Sequence, residues 1–103
     1  GAAVESVLER ARLGVVRDLV GHGIGRTMHE DPDVPNYGHR HGGVLVPVGN
    51  ALAIEPMATL GSWKVIQDDP SGWGIRTRDG SLAAHFEHTV LLHDDGPEII
   101  TTL

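Results

Sequence analysis

No cysteine occurs anywhere in the chain. That excludes disulfides and thiolate metal centres, and it suits a reducing compartment. No apolar run approaches the roughly 20 residues that span a bilayer, and no signal peptide is visible at the start. Basic residues are scarce: eight Lys and Arg stand against fourteen Asp and Glu, for a net charge of −6. A sequence-independent grip on phosphate needs clustered cations, so nucleic acid is excluded as a partner. Low-complexity tracts, internal repeats and linkers are also missing.

What remains is a chain of 103 residues, 40% hydrophobic and 21% charged. Such a chain makes one folded domain with a modest core. Glycine, with 14 copies, and histidine, with 7, are both abundant. The glycines imply turns and close backbone approaches. The histidines raise the prospect of a metal site. The chain opens at Gly1 inside a helical pattern, which reads as a cut, a tag scar or an excerpt, so this start says nothing about natural targeting.

Residues 3–13 predict an amphipathic helix, with Val4, Val7, Leu8 and Ala11 at helical spacing and Gly14 as its stop. Val15 to Val20 predicts a strand, and Gly21 to Gly25 a glycine-spaced bend that carries His22. Residues 30–43 read as a loop from their Pro, Asn and Gly content. Val44 to Val46 is a short extended stretch, and Pro47 to Asn50 a turn. Ala51 to Met57 predicts a strand ended by Pro56. Trp63–Gln67 and Trp73–Thr77 predict a hairpin across Asp68–Gly72. Arg78–Gly80 is a further turn. His85–Leu92 predicts one continuous strand, and Glu98–Thr102 a last one. The sum is a single α+β unit over residues 1–103, mainly antiparallel sheet behind one leading helix.

Three separated segments put a histidine or carboxylate in a strand or glycine corner: Gly21-His22-Gly23-Ile24-Gly25, Ala53-Ile54-Glu55-Pro56-Met57 and His85-Phe86-Glu87-His88-Thr89. A buried, ionised carboxylate is costly unless paired or bound to metal. One imidazole with two carboxylates suits Mn, Fe, Co or Zn. Against this, a lone strand Glu is usually an exposed edge residue, and a lone His after a strand is usually solvated. No short local metal motif joins the three. Strand alternation puts His85 on the face of Glu87, beside any metal there, and turns His88 away. His29 can reach the cleft of His22 as a hydrogen-bond donor. His39, His41 and His93 read as solvated.

These segments resemble a known family. Gly21-His22-Gly23-Ile24-Gly25-Arg26-Thr27-Met28-His29-Glu30 is similar to the segment of type I methionine aminopeptidases that holds a metal-binding and a catalytic histidine. Val34-Pro35-Asn36-Tyr37, Ala53-Ile54-Glu55-Pro56-Met57 and Asp79-Gly80-Ser81-Leu82-Ala83-Ala84-His85-Phe86-Glu87-His88-Thr89-Val90 follow in the family's order. Related prolidases, aminopeptidases P and creatinases usually have Gly after Glu-Pro and Arg-Ile-Glu-Asp in place of His85-Phe86-Glu87-His88. Met57 and the Phe86-Glu87-His88-Thr89 run therefore favour methionine aminopeptidase. The short path from Arg26 to Met57, without an inserted helical domain, resembles type I.

The resemblance implies half of a pita-bread fold, the C-terminal half, with the N-terminal half absent. It implies metal-dependent removal of initiator methionine in the cytoplasm, with two divalent metal ions. His22, Glu55 and Glu87 would be ligands, with Glu87 bridging the two metals. Glu55 would also accept the proton of the attacking water. His29 would hydrogen-bond the substrate amide, and Met28 and Trp73 would line the methionine pocket. The implied partners are nascent polypeptides beginning with Met, the N-terminal half of the same enzyme and the ribosome, with no nucleic acid and no membrane. Two departures from the family pattern matter. Two aspartates and a further histidine of the family site have no counterpart here, so this chain alone is expected to be inactive. Many relatives have Gln where His85 stands, and an imidazole there could tune the bridging water or bind metal itself. The alternatives are an inactive fragment and a non-catalytic binding module on the same fold.

Overall fold

A computed structural model describes residues 1–103. One helix, α1 (Ala2–Arg10), precedes ten short strands: β1 (Gly14–Val15), β2 (Gly21–Ile24), β3 (Glu30–Val34), β4 (Ala51–Ile54), β5 (Met57–Thr59), β6 (Val65–Ile66), β7 (Arg76–Thr77), β8 (Ala83–His85), β9 (His88–His93) and β10 (Gly96–Ile99). Every strand pair is antiparallel, as the mixed α+β reading requires.

The helix stops before the expected Gly14. Arg12 takes φ 60°, its N–H bonds to Glu9 O, and the N–H of Leu13 reaches back to Leu8 O. This is a Schellman closure with arginine in the place usually held by glycine. Glu5 then fastens the helix to the connections after β3 and β1, accepting the Gly38 N–H at 3.0 Å and pairing with Arg17 at 3.5 Å. The Arg17 guanidinium lies over the rings of Tyr37 and Trp63.

Two sheets matter for the site. The larger runs β10-β9-β4-β2-β3 and the smaller β1-β5-β8. They are joined because two neighbouring segments each pass from one to the other: β4 continues through Glu55-Pro56 into β5, and β8 through Phe86-Glu87 into β9. The register holds across the bend. Ile54 faces His88 on one side of it and Met57 faces His85 on the other, so counting inward sets Glu55 opposite Glu87 and Pro56 opposite Phe86. The Phe86 N–H still reaches Pro56 O at 3.3 Å. Pro56 has no N–H to give, which interrupts the ladder at this point.

Five expectations change. The strand foreseen over Val15–Val20 is confined to Gly14–Val15, and Leu19 and Val20 turn to the cleft. The foreseen bend at Gly21–Gly25 is instead strand β2, in the interior of the larger sheet. A Cβ at Gly23 would fall 2.1 Å from Asp31 O and one at Gly21 2.2 Å from Ala53 O, so the glycines serve close packing of backbones. Part of the foreseen loop over 30–43 is the edge strand β3, which tolerates Pro32 because an edge has an unpaired side. The foreseen single strand His85–Leu92 is broken at Phe86–Glu87. The foreseen hairpin across Asp68–Gly72 is present but pairs only β6 with β7, and the last strand begins earlier than expected, at Gly96.

The buried apolar set is small: Val15, Val16, Leu52, Ala53 and Val90. These residues lie on β1, β4, β9 and the residue after β1, beneath the junction of the two sheets. No helix is long and apolar enough to cross a membrane.

Candidate metal centre

Each ligand candidate is delivered by a different piece of backbone. His22 sits on β2 opposite Ala53. Glu55, two residues beyond Ala53 on the same strand face, is therefore its diagonal neighbour. Glu87 stands across the bend from Glu55. The result is that one ligating atom from each of His22, Glu55 and Glu87 lies within 4.8 Å of the others. His22 is buried, Glu55 half-buried and Glu87 exposed, so the expectation of two buried carboxylates holds only in part.

The donor set fits a cation. His22 Nδ1 lies 2.8 Å from the carbonyl of Gly23. A carbonyl can only accept, so Nδ1 carries the proton and Nε2 presents a lone pair in the neutral ring. That lone pair faces Glu55 Oε1 at 3.2 Å, where two acceptors oppose each other unless a proton or a metal ion lies between. An ion about 2.1 Å from each atom would see them at an angle of roughly 100°, within the range of tetrahedral or octahedral coordination. The second clue is Glu55 opposite Glu87. Like charges directly across a strand pair repel, and a shared cation removes the repulsion.

Around this cluster lies a cavity of about 560 Å³. Its wall includes His22, Glu55, His29 and His85 together with apolar Val16, Met57, Val65 and Trp73. The ring of His29 lies 4.2 Å from that of His22, tilted by 47°. Trp73 is 85% exposed although it lines the cavity, and Met28, 70% exposed, stays outside that wall. His85 Nε2 lies 3.2 Å from Glu55 Oε2. His88 turns away and meets Thr101 Oγ1 at 2.9 Å, and His93 pairs with Glu98. Neither Met57 nor Val65 was expected from sequence to line the cavity. Met57 had a signal: it shares a strand face with Glu55 at a spacing of two.

The profile of metallopeptidase family M24 matches residues 1–94. The chain belongs to this family. As metallopeptidases, its members use divalent metal, in keeping with the histidine and two glutamates gathered here. A methionine aminopeptidase of Clostridium acetobutylicum is 50% identical over 99 residues, which cover 96% of this chain and 39% of that protein. Methionine aminopeptidase 1 of Mycobacterium tuberculosis is 55% identical over 90 residues, 86% of this chain and 33% of that protein. Among solved structures, methionine aminopeptidase from Thermotoga maritima superposes with a TM-score of 0.90 at 47% identity, covering 97% of this chain and 40% of that one. The M24 chain thus spans about 40% of the length of such relatives, and its sheets have the pita-bread arrangement of its structural neighbour.

Proposed function

We propose that residues 1–103 form the C-terminal half of a methionine aminopeptidase catalytic domain, which removes initiator methionine from nascent proteins together with an N-terminal half outside these residues. One observation carries the reading: His22, Glu55 and Glu87 converge within 4.8 Å from three distant segments, beside an apolar cavity, in a chain whose relatives are methionine aminopeptidases.

Under this reading His22, Glu55 and Glu87 would hold divalent metal. Two aspartates and a further histidine from the other half would supply the remaining ligands. Mn, Fe, Co and Zn all suit carboxylate and imidazole donors. When bound, the metals acidify the attacking water and polarise the scissile carbonyl. Glu55 accepts the proton of that water on its carboxylate. His29 donates a hydrogen bond to the substrate amide and stabilises the tetrahedral intermediate. Trp73, with Met57 and Val65 in the same wall, offers an apolar surface to the methionine side chain; Met28, which the family resemblance assigns to that pocket, would have to turn inward to reach it. Nascent chains beginning with Met are the substrates, the cytoplasm is the compartment, and the ribosome is a partner. A non-catalytic module on this fold would be free to lose its ligands. This chain keeps an imidazole and two carboxylates in register.

The test is methionine release from a Met-Ala-Ser peptide by the full-length protein with added Mn(II) or Co(II). Release is expected, and it should disappear in Glu87→Gln. No release by the wild type, or release by Glu87→Gln at the wild-type rate, contradicts the reading.

A further inference from the structure

Beyond the three ligand candidates, one more imidazole is turned onto the cluster. His85 ends β8 opposite Met57, and Glu55 stands two residues before Met57. The two side chains are therefore diagonal neighbours across the bend. The Glu55 carboxylate is divided between two rings: Oε1 faces His22 Nε2 at 3.2 Å, and Oε2 faces His85 Nε2 at 3.2 Å. His85 is not among the residues whose ligating atoms converge. It touches the centre only through Glu55. Its side chain is half-exposed whereas that of Glu55 is largely covered, so the bond lies at the rim of the cavity, where a ring can close over the carboxylate.

We propose that His85 is a positioning residue whose Nε2–H holds Oε2 of Glu55, leaving Oε1 alone to meet an ion held by His22. The last torsion of a glutamate is broad and roughly two-fold. Without a fixed partner the two oxygens exchange places, and an ion must order the carboxylate when it binds. With the donor in place that ordering is already made. A glutamine at position 85 carries an amide N–H that can serve the same oxygen, whereas alanine and phenylalanine carry no donor. The inference rests on the metal reading proposed above, and the experiment separates the two.

Full-length protein is stripped with chelator and titrated with Mn(II) by calorimetry, as wild type, His85→Ala, His85→Phe and His85→Gln. Loss of a hydrogen-bond partner behind a ligand weakens metal binding about 10–100-fold. That loss is expected in His85→Ala and in His85→Phe, which keeps the bulk of a ring. His85→Gln is expected to stay within about threefold of wild type, because the donor is kept. Metal-free melting midpoints should agree across the set, which a merely structural role would not give. Binding by His85→Ala and His85→Phe as tight as wild type overturns the proposal, as does equal weakening in His85→Gln and His85→Ala. A wild type without Mn(II) affinity is a different result: it overturns the metal reading, and the role of His85 falls with it.

Discussion

At the scale of single residues, Glu55 holds the centre of the site because it is engaged from both sides. His22 takes one oxygen and His85 the other, while Glu87 stands opposite. His29 has a different place: its ring packs tilted against that of His22 and faces the cavity without joining the converging ligand atoms. Removing it should therefore spare metal binding and damage turnover. In the full-length protein His29→Ala is expected to lower kcat about 10²–10³-fold, the usual effect of losing one donor to a developing oxyanion, with Mn(II) affinity unchanged. Steady-state kinetics beside a metal titration checks both. The ligand candidates were legible in sequence as chemical types, but only family resemblance joined them into one set, because their spacing is set by the fold and not by any local motif. The exposure of Glu87 was not legible, since its neighbours Phe86 and Val90 are apolar and only Val90 is buried.

At the scale of elements, a paired bend carries the site. Pro56 interrupts one strand, and that break was readable from the missing N–H. The break in the partner at Phe86–Glu87 was not, because His85-Phe86-Glu87-His88 contains no residue that stops a strand. It is imposed from across the ladder by the proline opposite. The glycines around His22 misled in the opposite sense. They read as a bend, yet they form a strand because neighbouring backbones come too close for any Cβ. Gly23→Ala would put a carbon 2.1 Å from a backbone carbonyl, and backbone must move to admit it. A loss of about 1–3 kcal/mol is expected, as for other overpacked sites, measured by denaturant unfolding, with metal affinity falling because His22 shifts.

The hairpin that carries Trp73 is wired by carboxylates. The Arg76 guanidinium holds the Asp68 carboxyl below its usual range. The Ser71 hydroxyl, then the Gly74 N–H, does the same for Asp69. Both groups are more acidic in the folded chain than unfolded, so their contribution is complete above the unfolded value of about 4. It is lost as pH falls through the lower folded values. The indole NMR signal of Trp73 should hold steady from neutral pH down to about 4 and move or broaden only below that. In Asp69→Asn the change should already be present at neutral pH. Movement of the wild-type signal between pH 5 and 7 would contradict this account of the turn.

At the scale of the whole molecule, the buried core is thin and one side of the cleft is open. Trp73 on the cavity wall remains 85% exposed, and Phe86 and Leu82, away from that wall, are exposed as well. Two sheets joined at a bend bring three acid and imidazole donors to one edge of that opening. The antiparallel architecture and single helix were legible from strand alternation and turn residues. The partition into two sheets was not, because alternation continues unbroken through the bend. The most direct measurement of the central claim is anomalous diffraction from crystals of the full-length protein grown with Mn(II). A peak is predicted about 2 Å from His22 Nε2 and from one oxygen each of Glu55 and Glu87. Mn(II) bound elsewhere, with no peak within about 3 Å of those three side chains, would contradict it.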